Sequence, residues 1–459
     1  MQERILQKRV IYIIGFIAIS LYSFVGIIGY FIPYYTLYII SVSLIGIFVA
    51  GVILYLGTKE ITIHLDPSFL LMICFIIWLI FVCVFATFEN KKDYVLLNRD
   101  CLNDAAISTL VIFPLGYAWV REEKKIAMVK VIFHFVLFGW TLFIIYVLFE
   151  MFQAHEIILP NGGVITTKKG AGLELNCNIN LTGAWEMLFF MACLFMSLAE
   201  KKLLLKMLYG IASFIHYFTI VISSCRTAFL SSLFAFAGMI GVIVFLKTQE
   251  RSKKSQWIMT LFITLAAGGV FYLLRNPLYR LFGVIAYPVQ NVEAKDMIHK
   301  YSTILSGRET LWVQTMQAIT RSPRQFIIGS TPAAIWDLLE KYGAPKGTYT
   351  HNEILELVAD TGIVGFGFCL AWLVIILMDS YKMYFVKKER SLILCIPIIF
   401  ISLLIANMFE AMLLFFMRAS GYMFFFLGGM IHGAMNKKRI GSLSISSNKC
   451  FPDSSILNK

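Results

Sequence analysis

Three residues of this chain have the type and the setting for work on a phosphorylated substrate. Arg226 lies in Ser223-Ser224-Cys225-Arg226-Thr227-Ala228, Arg308 in Ser306-Gly307-Arg308-Glu309-Thr310-Leu311-Trp312, and His351 in Tyr349-Thr350-His351-Asn352-Glu353. An arginine offers a planar, permanently charged fork that fits phosphate oxygens. Two of them could hold a diphosphate and stabilise the charge on it as it leaves. An imidazole titrates near neutral pH and can take a proton from an attacking hydroxyl. Each residue also has a plainer reading. Arg226 could snorkel to a membrane surface, and Arg308 could pair with Glu309 or Glu340 on a solvated face. Thr350 and Glu353 have capping-box spacing, which would make His351 merely the first residue of a capped helix.

The elements that must position these residues are membrane helices. The chain has 459 residues, 59% hydrophobic and 15% charged, with a mean hydropathy of +0.77. A soluble domain is about 45–50% apolar and about 25% charged. The apolar residues come in blocks of about 20, the length that crosses a bilayer core. This excludes a soluble enzyme, a secreted disulfide scaffold and a disordered chain. Twelve spans are expected, at 10–31, 35–57, 68–88, 105–120, 127–150, 177–198, 204–223, 228–246, 257–274, 354–378, 392–415 and 420–435. The first follows Arg4, Lys8 and Arg9 and reads as an uncleaved anchor. The fold expected is an all-α polytopic membrane protein with about 12 transmembrane helices and one large, partly helical extracytoplasmic loop. Its parts are helices 1–9 in 1–274, the loop in 275–350, helices 10–12 in 351–436 and a Ser-rich, disordered cytoplasmic tail in 437–459.

Orientation follows from lysine and arginine. With the N-terminus inside, 24 of the 40 fall in inner segments, seven in short outer ones and nine in 275–350, a segment long enough to escape the positive-inside rule. The formal charge of +13 is therefore read as orientation charge and not as a nucleic-acid signal. Both termini are expected inside, and Arg226, Arg308 and His351 together on the outer face. The long loop carries a helical stretch from Glu309 to Thr320 and a Pro/Gly-punctuated part from Pro323 to Gly347. A second outer segment, 151–176, contains the turn signal Asn161-Gly162-Gly163.

Other polar residues have structural readings. Asp100 and Asp104 stand four apart as a solvated helix start, so a metal-independent reaction is expected. Glu410 pairs with Arg418, His134 and His216 are satisfied core imidazoles, and Glu186 is either core or the lining of a substrate groove. The nine cysteines show no paired spacing, which argues against both a zinc site and a disulfide framework. Neither a phosphate-binding glycine loop nor a Walker pattern is present. The two arginines and the histidine together fit glycosyl transfer from a polyprenyl-diphosphate sugar at the outer leaflet.

The stretch His351-Asn352-Glu353 followed by Asp360, Gly362 and Gly365 resembles the His-Asn, acidic, Gly-x-x-Gly signature of the O-antigen ligase and O-antigen polymerase superfamily. Ser306-Gly307-Arg308 with Trp312, Pro323 and Gly329 resembles that family's outer-loop stretch, and Ser223 to Leu230 its membrane-edge arginine motif. Asn176-Cys177-Asn178 resembles its Asn-x-Asn element, with Cys where the family usually has Pro. The resemblance is firm over roughly 170–380. It implies that Arg226 and Arg308 bind the diphosphate of an undecaprenyl-linked glycan and that His351 is the base on the acceptor hydroxyl or orients it. Asn352, Glu353, Asn176 and Asn178 would support substrate, Trp312 and Tyr349 would stack on sugar rings, and Asp360 would be a buried structural acid. Gly362 and Gly365 would allow close helix packing.

The partners implied are the lipid-linked donor, a glycan or lipid A-core acceptor, the bilayer and other polysaccharide-assembly proteins. No nucleic acid and no cofactor are expected. The enzyme would sit in a bacterial cytoplasmic membrane with its site facing outward. Ligase and polymerase both remain open, with a lean to the polymerase. A lipid-linked oligosaccharide flippase or exporter is the rival class, but it would ordinarily show internal repeats and mid-membrane charges.

Overall fold

In the computed structural model, residues 66–87, 93–121, 126–153, 156–158, 164–168, 172–174, 179–223, 225–248, 252–286, 308–345, 348–386, 391–411 and 418–436 are described. The expected spans 10–31 and 35–57 and the tail lie outside them. The described chain is helical almost throughout. Helices α1 (Pro67–Thr87), α2 (Asp93–Ala106), α3 (Phe113–Arg121) and α4 (Ile126–Gln153) come first, with a π-helical turn, Ile107–Ile112, joining α2 to α3. A small sheet follows, and then α5 (Ile179–Ala199), α6 (Leu203–Ser223), α7 (Arg226–Lys247) and α8 (Lys253–Ala286). Three short helices, α9 (Arg308–Thr320), α10 (Pro323–Ile328) and α11 (Ile335–Lys341), precede α12 (Glu353–Phe385), α13 (Cys395–Asn407) and α14 (Arg418–Asn436).

Six of these helices contain stretches long and apolar enough to cross a membrane: Pro67–Val84, Thr182–Ala199, Leu203–Ser223, Arg226–Lys247, Lys253–Leu278 and Glu353–Phe385. Their side chains are apolar around most of the circumference, as lipid on one side and protein on the other require. Two differences from expectation concern length. The ninth expected span runs on past 274 as one helix to Ala286, and the eleventh is helical only to Asn407.

Among the described residues the exception to helix is an antiparallel sheet of β1 (Glu156–Ile158), β2 (Val164–Lys168) and β3 (Gly172–Glu174), in that order. Ile157 faces Ile165 and Thr167 faces Leu173. Branched residues favour the pleat, and the Asn161-Gly162-Gly163 signal falls in the β1–β2 connection, outside the described residues.

Close backbone approach fixes several contacts. Gly429 and Gly433 on α14 lie against the carbonyl oxygens of Phe113 and Tyr117 on α3, where a Cβ would collide, as in small-residue packing between membrane helices. At the far end of α12 from His351, His432 of α14 lies between Asp379 (Nδ1 to Oδ2 2.6 Å) and Asp66 (Nε2 to Oδ2 2.5 Å). That bridge ties α14 to α12 and to the start of α1.

Helix α12 is broken at Gly362, whose φ of 67° and ψ of 178° are non-helical. The break frees the carbonyls before it, and three donors from elsewhere take them. Ser330 N donates to Ala359 O at 2.8 Å, Thr331 N to Asp360 O at 3.0 Å, and Trp78 Nε1 to Thr361 O at 2.7 Å. Gly329, at φ 88°, lies so close to Asp360 that a Cβ there would meet its carbonyl. The segment after α10 is thus docked onto the break, and α9–α11 are held over the start of α12. Asp360 itself is fully buried, the structural position expected of it. Gly365 does pack closely, against Trp78 of α1.

Candidate active site

The site forms where three helix starts meet one helix end. Helix α13 finishes in a tight turn, with Phe409 N and Glu410 N both donating to Ala406 O, so the last carbonyls have no helical partner. Asn352 Nδ2 donates to Met408 O at 2.9 Å, and Arg308 Nη1 donates to Phe409 O. An arginine at a helix C-terminus is favoured by both hydrogen bonding and dipole. The starts of α12 and α9 thereby cap the end of α13.

Glu410 is the hub. Its carboxylate is fully buried. Oε2 lies 2.9 Å from Arg308 Nη2, and Oε1 lies 2.7 Å from His351 Nδ1 and also accepts from the Tyr349 hydroxyl. Sequence reading placed Glu410 at the outer end of its helix but gave it Arg418 as partner; the Arg418 side chain lies outside the described residues. Both Glu410 oxygens go to the residues singled out for chemistry. The signal that could have found this was position, since Glu410 and Arg308 were already expected on one face.

His351 stands with φ at 51°, a left-handed conformation uncommon for a residue with a side chain. The strain is held by its flanks. Thr350 Oγ1 donates to Asn352 O at 2.8 Å and Thr350 N to Glu356 Oε2 at 2.9 Å, while Trp312 Nε1 donates to Thr350 O at 3.1 Å. The helix is not capped at Thr350, as the plainer reading of His351 would have it. The N-cap is Asn352, whose side chain accepts from Leu355 N at 3.1 Å, because the turn at His351 shifts the helix start by two residues. Glu353 is the first helical residue and is buried.

Trp312 and Tyr349, expected as sugar-stacking groups, both brace the site. The Tyr349 ring lies 4.1 Å from that of His351, tilted by 36°. Burial and the neighbouring Glu410 push the Tyr349 phenol far above its ordinary range, so it stays a donor.

Arg226 opens α7, with Cys225 as its N-cap. Cys225 is pressed against Gly183 of α5, where a Cβ would meet the thiol. Burial, chiefly, pushes this thiol up to about 11, with Glu410 adding to the rise and Arg308 opposing it. The start of α7 therefore lies within electrostatic reach of the Arg308–Glu410 pair. Arg226, Arg308 and His351, distant in sequence, belong to one end of the bundle. Asn176 and Asn178 lie outside the described residues.

The remaining polar groups fall elsewhere. Glu186 is fully buried, accepting from Trp140 Nε1 at 2.9 Å and lying 2.8 Å from His216 Nδ1. His216 Nε2 meets Thr141 Oγ1 at 3.0 Å. This is a satisfied core network and not the lining of a groove. His134 pairs with the Tyr209 hydroxyl. Among the described residues no cluster of three His, Cys, Asp or Glu has the geometry for a metal.

Residues 211–370 match the family model described as O-antigen ligase. That stretch contains Arg226, Arg308 and His351 and ends within α12. No curated protein and no solved structure matches the chain. Over the segment that carries its candidate site, the chain is similar to the O-antigen ligase family.

Proposed function

We propose that this protein is a bacterial inner-membrane glycosyltransferase that moves a glycan from an undecaprenyl-diphosphate carrier to a sugar hydroxyl during surface-polysaccharide assembly. The observation that carries the reading is the convergence of Arg308 and His351 on the buried Glu410, beside the helix start that bears Arg226. In this reading the site faces outward and both termini lie inside.

The acceptor oxygen attacks the anomeric carbon, the bond from that carbon to the diphosphate oxygen breaks, and undecaprenyl diphosphate leaves. With Nδ1 committed to Glu410, Nε2 of His351 is the nitrogen that receives the hydroxyl proton. Arg308 has five N–H donors. Two are directed at Glu410 and Phe409, and the others can meet phosphate oxygens together with Arg226. Two guanidiniums neutralise the developing diphosphate charge, so no metal is required.

Polymerase and ligase differ only in the acceptor, and the chemistry above serves both; the polymerase remains the lean. The break in α12 is a feature that transporters share. Here Ser330, Thr331 and Trp78 take the freed carbonyls, which favours docking over an ion path. The test is a transfer assay in a deletion strain, with carrier-linked glycan, lipid A-core and free polymer resolved together. Arg226→Ala, Arg308→Ala and His351→Ala should each abolish transfer while leaving folded protein, and full activity in any two refutes the site. Single units still joined to core, with long chains lost, identify a polymerase. Long chains retained on the carrier, with bare core, identify a ligase.

A further inference from the structure

A third arginine stands beside the first. Arg275 is on α8, 22 residues beyond Lys253; at about 1.5 Å per residue this is about 33 Å along the helix, close to the ~30 Å of a bilayer core. Arg226 is 21 residues from Lys247 on the neighbouring α7, or about 32 Å by the same rise. Lys247 and Lys253 flank one short connection, so the two arginines reach the same level at the other end.

Phe229 links them. It follows Arg226 by three residues, which puts the two on one face of α7, about 5–6 Å apart at Cβ. The Arg275 guanidinium lies 5.4 Å from the Phe229 ring centre and 4.9 Å from that of Tyr272. Stacking engages the face of the guanidinium plane, while its N–H donors lie in the plane, where a phosphate binds edge-on. Around Arg275, Tyr272, Leu273 and Leu274 are exposed, and only 6% of the Lys253–Leu278 span is buried among the described residues. This arginine therefore sits at headgroup level on a face open to lipid, one aromatic ring away from the candidate site.

We propose that Arg275 is a donor-binding residue at the lateral mouth of the site, taking the diphosphate of the lipid-linked donor from the bilayer along the α7–α8 face and passing it across Phe229 to Arg226. The proposal rests on the lipid-diphosphate reading above. It assigns Arg275 a role in capture and not in the chemical step.

The full-length protein in lipid nanodiscs is titrated with undecaprenyl diphosphate, and its transfer kinetics are measured with the lipid-linked donor. Arg275→Ala should weaken binding and raise the donor KM by about tenfold, the scale of one charge-assisted phosphate contact, with kcat within about twofold. Arg275→Lys, which keeps the charge and loses the stacked planar fork, should recover only part of the loss, and Phe229→Leu should weaken binding by about threefold by removing one stacking ring. Phosphatidylglycerol in excess should not compete.

Unchanged affinity and KM in folded Arg275→Ala overturn the proposal. So does equal competition by phosphatidylglycerol, which would make Arg275 a headgroup anchor. Should the alanine variant fail to fold, wild-type binding in Phe229→Leu overturns it instead. Wild-type protein that neither binds the diphosphate nor transfers glycan refutes the function and this proposal together. Wild-type activity with a silent Arg275 refutes this proposal alone.

Discussion

The Nδ1 atom of His351 lies 2.7 Å from Oε1 of Glu410, and this contact sets what the imidazole can do. A carboxylate on Nδ1 selects the tautomer with the proton there, which leaves the Nε2 lone pair for a substrate. It also stabilises the imidazolium formed when that proton arrives. The same carboxylate holds Arg308 through its other oxygen at 2.9 Å. One buried side chain just past the end of α13 therefore holds both His351 and Arg308, the base and the phosphate-binding arginine of the proposed reaction.

Glu410→Gln should lower kcat by about 10²–10³-fold, within the range that oriented acid–base groups contribute, and leave folded protein. Glu410→Ala should also lose stability, by about 3–5 kcal/mol, because it strands Arg308 and Tyr349 in a buried setting. Transfer kinetics and thermal unfolding of the purified variants check both. Wild-type kcat in Glu410→Gln would refute the orienting role.

Tyr349 gives a pH-dependent prediction. Its phenol is raised far above the usual range by burial and by Glu410, whereas in the unfolded chain it ionises near pH ~10. Its contribution to stability is therefore whole below about pH 10 and falls as pH climbs toward the folded value. Wild-type protein should lose melting temperature between about pH 9.5 and 11, and Tyr349→Phe should lose less over that interval. Below pH 9 the variant should show a pH-independent drop in kcat of about tenfold, the cost of one hydrogen bond to a charged group. Parallel melting curves for the two proteins would contradict the assignment.

How much of this was legible beforehand depends on the range of the interaction. Arg226, Arg308 and His351 carry local signatures, and periodic hydrophobicity places them at helix ends, so they could be read from sequence. Glu410 was visible as a polar residue at a helix end, but its partners lie 59 and 102 residues away, beyond any local pattern. Gly362 reads as a packing glycine because sequence carries no signal that Ser330, Thr331 and Trp78 will donate to the carbonyls it frees. The plainer reading placed a cap at Thr350, two residues before the one that forms, because a left-handed turn at a histidine has no local signal. Asn352 is as good a cap as Thr350.

Transfer should survive a chelator. In the proposed reaction the charge that leaves with the diphosphate is met by Arg226 and Arg308, and a guanidinium pair can do what a divalent ion does elsewhere. Membranes washed with EDTA should retain activity within about twofold, since no Lewis-acid term is removed. Loss of activity that added magnesium or manganese restores would show that a metal takes part.

Asn352 joins two elements at once, capping α12 through Leu355 N at 3.1 Å and reaching Met408 O at 2.9 Å. Asn352→Ser keeps a cap and loses the reach, whereas Asn352→Ala loses both. The alanine variant should lose a further ~1 kcal/mol of stability relative to serine, the usual worth of a cap. Both should lower kcat similarly, because either frees the start of α12 from the end of α13. Unfolding temperatures and transfer rates separate the two effects. A serine variant with wild-type kcat would show that the Met408 contact is dispensable.

The break in α12 offers a comparison among glycines at it, facing it and beyond it. At Gly362 a Cβ would strike the carbonyl of Ile327, and φ is +67°. At Gly329, facing it, φ is +88° and a Cβ would strike the carbonyl of Asp360. At Gly367, five residues on, a Cβ would meet nothing within 4 Å. Gly362→Ala and Gly329→Ala should each cost more than about 2 kcal/mol, combining left-handed strain with backbone collision. Gly367→Ala should be neutral or stabilise by up to about 1 kcal/mol, since alanine favours the helix. Yields of monodisperse protein and melting temperatures should be lower for Gly362→Ala and Gly329→Ala than for Gly367→Ala. Equal tolerance at Gly362 and Gly367 would mean that α12 is continuous in the membrane, and the docking of Ser330 and Thr331 onto it would have to be abandoned.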